Sequence, residues 1–243
     1  MRTWGITDVG LVRSENQDSY DIRVMGGYTV AVVCDGMGGT MGGKRASNLA
    51  VDLFNREMET SLKEVMTSRQ LTQLMSYSAA LANEVIYREA QEDPAYECMG
   101  TTMVAVVTAA EAVQILNVGD SRAYHIDRDG IRQITKDHSV VEDLVESGNI
   151  THEQAKKHPQ RNLITKALGP EPSVQPDCFE VFWEQGDFVL LCSDGLVNTV
   201  SDQEILFEVI QNGEPDTCLE RLLAISRQRG APDNVTAVLL MNI

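Results

Sequence analysis

The sequence is short of cations, aromatic residues and paired cysteines, and these shortages remove whole classes of function. Lys and Arg number 20 against 36 Asp and Glu, a formal net charge of −16, and aromatics make up 5%. Nucleic-acid binding rests on clustered cations that neutralise phosphates, so no nucleic-acid partner is expected. Five cysteines (Cys34, Cys98, Cys178, Cys192 and Cys218) form no C-x-x-C pair, and an odd number suits a reducing compartment. None of them has an Arg six positions later, which a thiolate phosphatase would need. Cys34 and Cys192 stand in apolar runs and are expected to be small buried hydrophobes. No two of the four histidines make H-E-x-x-H spacing, which speaks against a zinc protease. No apolar run approaches the roughly 18 residues of a membrane span. Met1-Arg2-Thr3-Trp4-Gly5 leads into mixed sequence without an apolar signal region. The expectation is a cytoplasmic protein with no membrane contact.

What is present is an ordinary globular composition, 43% hydrophobic and 23% charged. No linker, low-complexity stretch or charge block divides the chain, so residues 1–243 are expected to form one domain. Apolar runs bounded by Gly, Asp or Asn predict strands over 28–34, 101–108, 112–118, 122–126, 131–135, 188–192 and 235–241. Asp127-Arg128-Asp129-Gly130 reads as a hairpin turn. Helical periodicity covers 44–58 and 70–91, the latter with Leu71, Leu74, Met75, Ser78, Ala82, Val85 and Ile86 on one face. Thr151…Gln154 and Ser201…Glu204 are helix-start signals, and a last helix over about 216–229 stops at Gly230. Strands come in clusters rather than alternating with helices. That favours α+β with antiparallel sheets over a doubly wound parallel sheet.

Three apolar strands run directly into aspartates, at Asp35, Asp120 and Asp194, and Asp233 stands immediately before the last strand. Any one of them could be a turn residue. Brought together, they would repel one another and raise each other's pKa unless a cation neutralised them. Ligands that are oxygen throughout suit hard ions such as Mg²⁺ or Mn²⁺. In Asp35-Gly36-Met37-Gly38-Gly39 the glycines let backbone approach an ion, and a carbonyl such as that of Gly36 can serve as a ligand.

In their order along the chain, the following segments resemble the metal-dependent protein phosphatases (PPM, type 2C), in particular the small bacterial members. They are Gly10-Leu11-Val12-Arg13-Ser14-Glu15-Asn16-Gln17-Asp18, Asp35-Gly36-Met37-Gly38-Gly39, Gly100-Thr101-Thr102, Asn117-Val118-Gly119-Asp120-Ser121-Arg122, Asp137-His138-Ser139, Ser193-Asp194-Gly195 and Asp233-Asn234-Val235-Thr236. The resemblance implies a four-layer αββα sandwich, two antiparallel sheets flanked by helices, with a metal centre at one edge. It implies that Asp35 bridges two ions of Mn²⁺ or Mg²⁺, that Gly36 lends its carbonyl, and that Asp194 and Asp233 complete one of the two sites. Asp120, with Asp194, would hold a weaker third ion. Arg13 would grip the substrate phosphate and Asp18 would hold metal-bound water from behind the ligands. The implied reaction is hydrolysis of phosphoserine and phosphothreonine in proteins by a metal-bridging hydroxide. The implied partners are phosphoproteins made by a Ser/Thr kinase, acted on by a monomer.

The sequence departs from the family in two places. Met37 stands where many eukaryotic members have a histidine after Asp-Gly, so no side chain is assigned as the leaving-group acid, and a metal-bound water takes that role. Gln17 replaces an acidic residue common in those members, which weakens a ligand role there. Residues 137–169 are expected to form the family's variable flap. Its Lys156, Lys157, His158 and Arg161 are read as a solvated helix end in preference to a substrate contact.

Two other readings compete. Gly38-Gly39-Thr40-Met41-Gly42-Gly43-Lys44 has P-loop spacing for a nucleotide, but Arg45 follows where Ser or Thr is required. A non-catalytic family member serving as a binding module would lack metal carboxylates, and every expected one is present.

Overall fold

The computed structural model describes residues 1–109, 112–211 and 215–243, with only the backbone of Thr40, Met41 and Gln211. The strands are β1 (Arg2–Asp8), β2 (Asp18–Met25), β3 (Tyr28–Met37), β4 (Gly100–Thr101), β5 (Met103–Thr108), β6 (Ala112–Val118), β7 (Arg122–Ile126), β8 (Ile131–Gln133), β9 (Asp177–Phe182), β10 (Phe188–Cys192) and β11 (Val235–Met241). The α-helices are α1 (Gly39–Ser61), α2 (Ser68–Glu92), α3 (Val140–Glu146), α4 (His152–Ala155), α5 (Asp194–Val197), α6 (Asp202–Leu206) and α7 (Pro215–Gln228). One sheet runs β1-β11-β10-β7-β8 and the other β2-β3-β5-β6-β9, with β4 extending the second beside β3. Every strand pair is antiparallel.

The central strands are apolar without alternation because both of their faces are buried. On β3, Val30, Val32 and Cys34 pack with Phe54, Met58, Leu71 and Met75 of α1 and α2. Ala31 and Val33, one residue out of phase, face the other sheet with Val189, Leu191, Val238 and Leu240. The outer face of that other sheet buries Leu190, Cys192, Ala237 and Leu239 against Cys218 and Leu222 of α7. The period of two along a strand thus divides the apolar residues among three cores and builds the order helix, sheet, sheet, helix. Full burial of one such Leu or Val contributes about 1.5–3 kcal/mol. Both cysteines expected to be buried are buried. Among the described residues, no helix is long and apolar enough to cross a membrane.

Several boundaries differ from the sequence expectation. Strands β1, β2 and β9 lie at sheet edges and carry polar residues, so they show no apolar run. The expected strand over 101–108 is interrupted at Thr102, beside Asp35. Helix α1 begins at Gly39 rather than Lys44, because its glycines belong to a close backbone contact: a Cβ on Gly43 would sit 2.8 Å from the Gly36 carbonyl. The Thr151 and Ser201 capping boxes both form. So does the turn at 127–130, where Asp127 Oδ1 accepts from the backbone N–H of Asp129 and Gly130.

Candidate metal centre

The site lies where the ends of both sheets meet. A cleft of about 450 Å³ is lined by Arg13, Asp35, Gly36, Asp120, Asp194 and Asp233, among others. Asp18 is not on its wall. It is 1% exposed and sits behind Asp35, its register partner between β2 and β3. All seven residues singled out for the site therefore converge, six on the wall and one behind it.

The segments that carry the carboxylates are tied together by polar groups, several of them from distant parts of the chain. At Asp35 the ladder is altered. Asp35 N–H donates to the hydroxyl of Thr102 at 2.9 Å rather than to a carbonyl, while Thr102 N–H donates to Asp35 O. The same hydroxyl lies 2.7 Å from Ser121 Oγ, so Thr102 ties the Asp35 strand to the Asp120 turn. Ser193 Oγ donates to Asp18 Oδ2 at 2.8 Å and accepts from Thr236 N–H. Asp194 opens α5, and Asn198 Nδ2 donates to its Oδ2. Asn234 gathers the N-terminal loop: its Nδ2 donates to Val9 O and Glu15 O, and its Oδ1 accepts from Gln17 N–H. Gln17 holds the glycine loop, donating to Gly39 O at 2.7 Å.

Thr102, Ser193 and Asn234 are the functional residues that sequence reasoning leaves without a role. Each sits next to or within a carboxylate motif, and that adjacency is the only signal that could have found them. Their partners lie as far as 225 residues away.

The electrostatics of the cluster are unfavourable as it stands. The Asp35 carboxyl lies close against those of Asp18 and Asp194. Burial, followed by the charges of Asp18 and Asp194, raises Asp35 well above the usual carboxylate range. Burial pushes Asp18 up to about 6 and Asp120 up to about 8, with Asp194 the main like charge on Asp120. Asp194 is raised by burial and by Asp233. Asp18 Oδ1 and Asp194 Oδ1 are buried with no hydrogen-bond partner. Buried carboxylate oxygens left without a partner match the donor type of a hard divalent cation. Among the described residues, no three His, Cys, Asp or Glu side chains are placed to grip an ion by themselves.

Arg13, the one cation on the wall among the described residues, compensates part of this charge. Arg13 Nη2 donates to Asp233 Oδ2 at 2.8 Å, and that pairing raises the guanidinium above its ordinary value. Arg13 is 55% exposed, so it can leave Asp233 at little cost. The nucleotide-binding alternative fares poorly, since Lys44 Nζ donates to the Asp18 carbonyl at 3.1 Å and does not project into the cleft.

The protein phosphatase 2C model matches residues 12–238, almost the whole chain. The chain belongs to the protein phosphatase 2C family. Family members depend on metal ions, and the carboxylate cluster fits that dependence. Protein phosphatase PhpP of Streptococcus pneumoniae is 35% identical over 237 residues, 97% of this chain and 95% of its own. The serine/threonine phosphatase Stp1 structure from Staphylococcus aureus superposes with a TM-score of 0.94 at 36% identity, covering 99% of this chain and 94% of its own. The catalytic domain of the serine/threonine protein phosphatase PstP, solved with two manganese ions, gives a TM-score of 0.85 at 33% identity, covering 98% and 96%. The four-layer architecture expected of this phosphatase 2C chain is the one observed.

Proposed function

We propose that this phosphatase 2C chain hydrolyses phosphoserine and phosphothreonine in proteins, with Asp35, Gly36, Asp194 and Asp233 holding a pair of Mn²⁺ or Mg²⁺ ions. Asp120, with Asp194, holds a weaker third ion. The observation that carries this reading is the convergence of buried carboxylates of suppressed ionisation with one exposed guanidinium on a single cleft wall. The substrates are phosphoproteins made by a Ser/Thr kinase, and the enzyme acts as a cytoplasmic monomer.

A bound pair of divalent ions supplies Lewis acidity, which lowers the pKa of coordinated water toward 7. The protein's own groups do the rest. A cation held by Asp35 and Asp194 would relieve their mutual repulsion. Asp233 would give up Arg13 to hold an ion, and the freed guanidinium would pair with two phosphoryl oxygens. Asp18 and Ser193 brace Asp35 from behind. Met37 has no proton to give, so the leaving oxygen takes its proton from water.

A phosphothreonine peptide should release phosphate in Mn²⁺, stop on EDTA and recover on Mn²⁺ addition. Turnover that is indifferent to EDTA would reject the metal reading. Arg13→Ala should lower kcat/KM about 10–100-fold, the loss of a charged hydrogen-bond pair, with KM raised and kcat reduced. Unchanged kinetics would make Arg13 a surface charge whose partner is Asp233 alone.

A further inference from the structure

Asp120 hangs from a turn whose preceding residue is gripped twice by one histidine. Gly119 N–H donates to His138 Nδ1 at 3.0 Å, and Gly119 O accepts from His138 N–H at 3.0 Å. Asn117 Nδ2 also donates to Gly119 O. Gly119 has φ +104°, and a Cβ there would come within 2.5 Å of Thr102 Cγ2, so this peptide has one conformation and few ways to relax. Because Gly119 N–H occupies the lone pair of Nδ1, the ring proton must be on Nε2.

Nε2 faces Asp177 Oδ2 at 3.2 Å, obliquely, across from the end of β6. Asp177 is held in turn by Lys166 Nζ at 3.0 Å. The carbonyl of His138 accepts from Thr165 N–H, which anchors the base of the 139–164 segment to the same residue. A histidine serving only the core needs one partner at each nitrogen. Here both main-chain groups of the residue before Asp120 converge on it.

We propose that His138 is a positioning residue for the third cation, setting the Asp120 carboxylate through the Gly119 peptide while Asp177 favours the Nε2–H tautomer. This rests on the reading of Asp120 as a ligand of the weaker ion. A carboxylate that provides few of an ion's ligands tolerates little misplacement, since a shift of about 0.5 Å already spoils such a site.

The test counts bound Mn²⁺ by calorimetry and reads the His138 tautomer from ring ¹⁵N shifts in the full chain. Wild type should show two tight ions and one weak. Asp120→Ala should lose the weak one; if the weak ion stays, Asp120 is not its ligand and this proposal falls with that reading. With Asp120 upheld, His138→Leu should weaken the third ion at least about tenfold and leave the tight pair unchanged. His138→Asn, whose amide oxygen can take the place of Nδ1, should restore most of that affinity. Asp177→Asn removes the charge that faces Nε2–H, which should loosen the ring's hold on Gly119 and weaken the third ion by a smaller factor. A folded His138→Leu protein with wild-type affinity for the third ion overturns the proposal. If His138→Leu does not fold, Asp177→Asn decides: a weakened third site upholds the proposal and an unchanged one overturns it.

Discussion

Asp35→Asn should reduce Mn²⁺-dependent phosphopeptide hydrolysis on the order of 10³-fold or more while leaving the metal-free protein at least as stable as wild type. The two effects share one cause. Asp35 is enclosed between Asp18 and Asp194, and its charge costs folding free energy without an ion. Asn keeps the shape, keeps the backbone bond to Thr102 and removes the charge. The same change withdraws the ligand between the proposed ions, and Lewis-acid assistance is worth several kcal/mol, each 1.36 kcal/mol being tenfold in rate. Melting temperature in EDTA and turnover in Mn²⁺, measured on one preparation, check both halves. Near-normal turnover removes Asp35 from the centre. A fall in melting temperature of more than a few degrees would show that the carboxylate is structural.

In EDTA the wild-type protein should lose stability between pH 6.5 and 8, and Mn²⁺ should offset that loss most at pH 8. Carboxylates in the unfolded chain titrate near 4. Below that value both states are protonated and nothing is lost. Above it the unfolded chain ionises while the buried groups hold their protons, so stability falls until they ionise too, near 6 for Asp18 and near 8 for Asp120. Asp35, raised further, adds to the slope. His138 works in the opposite sense below its ordinary value, because burial keeps it neutral. The window above pH 6.5 therefore isolates the carboxylates. A loss of about 2 kcal/mol there corresponds to roughly 4–8 °C in a chain of this size. A flat or rising melting temperature in EDTA across that window would show that the cluster is not strained.

The fold and the centre are legible in the sequence to different depths. Strands such as 188–192 and 235–241 stand out because burial on both faces leaves no room for polar residues. The edge strands escape notice for the opposite reason: Asp18-Ser19-Tyr20-Asp21-Ile22-Arg23 spends its pattern on ion pairs and on the Asp35 contact. The aspartates of the cleft wall are visible because each adjoins such a run, Asp233 ahead of its strand and the other three at the ends of theirs. The hydroxyls and amides that hold them are not, since Ser193 acts on a residue 175 positions away and Asn234 on three residues near the start. The pairing of Arg13 with Asp233 is equally invisible, because it depends on Gly10 packing against the Asp233 carbonyl, which brings the two loops together.

That meeting of early and late residues fixes when the centre can come into being. Strand β1 pairs along its whole length with β11, and Asn234 sutures the loop that carries Arg13. During synthesis the ribosome delivers Asp18, Asp35 and Asp120 long before Asp194 and Asp233. A nascent chain therefore carries only part of the carboxylate cluster until Asp194, Asp233 and the final strand emerge. Closure between such distant segments is also slow for a folding chain. A nick that removes only the last strand would thus return the molecule to that incomplete form, and because β11 lies between β1 and β10 and fills two of the three cores, the sheet leading to Asp194 would open with it.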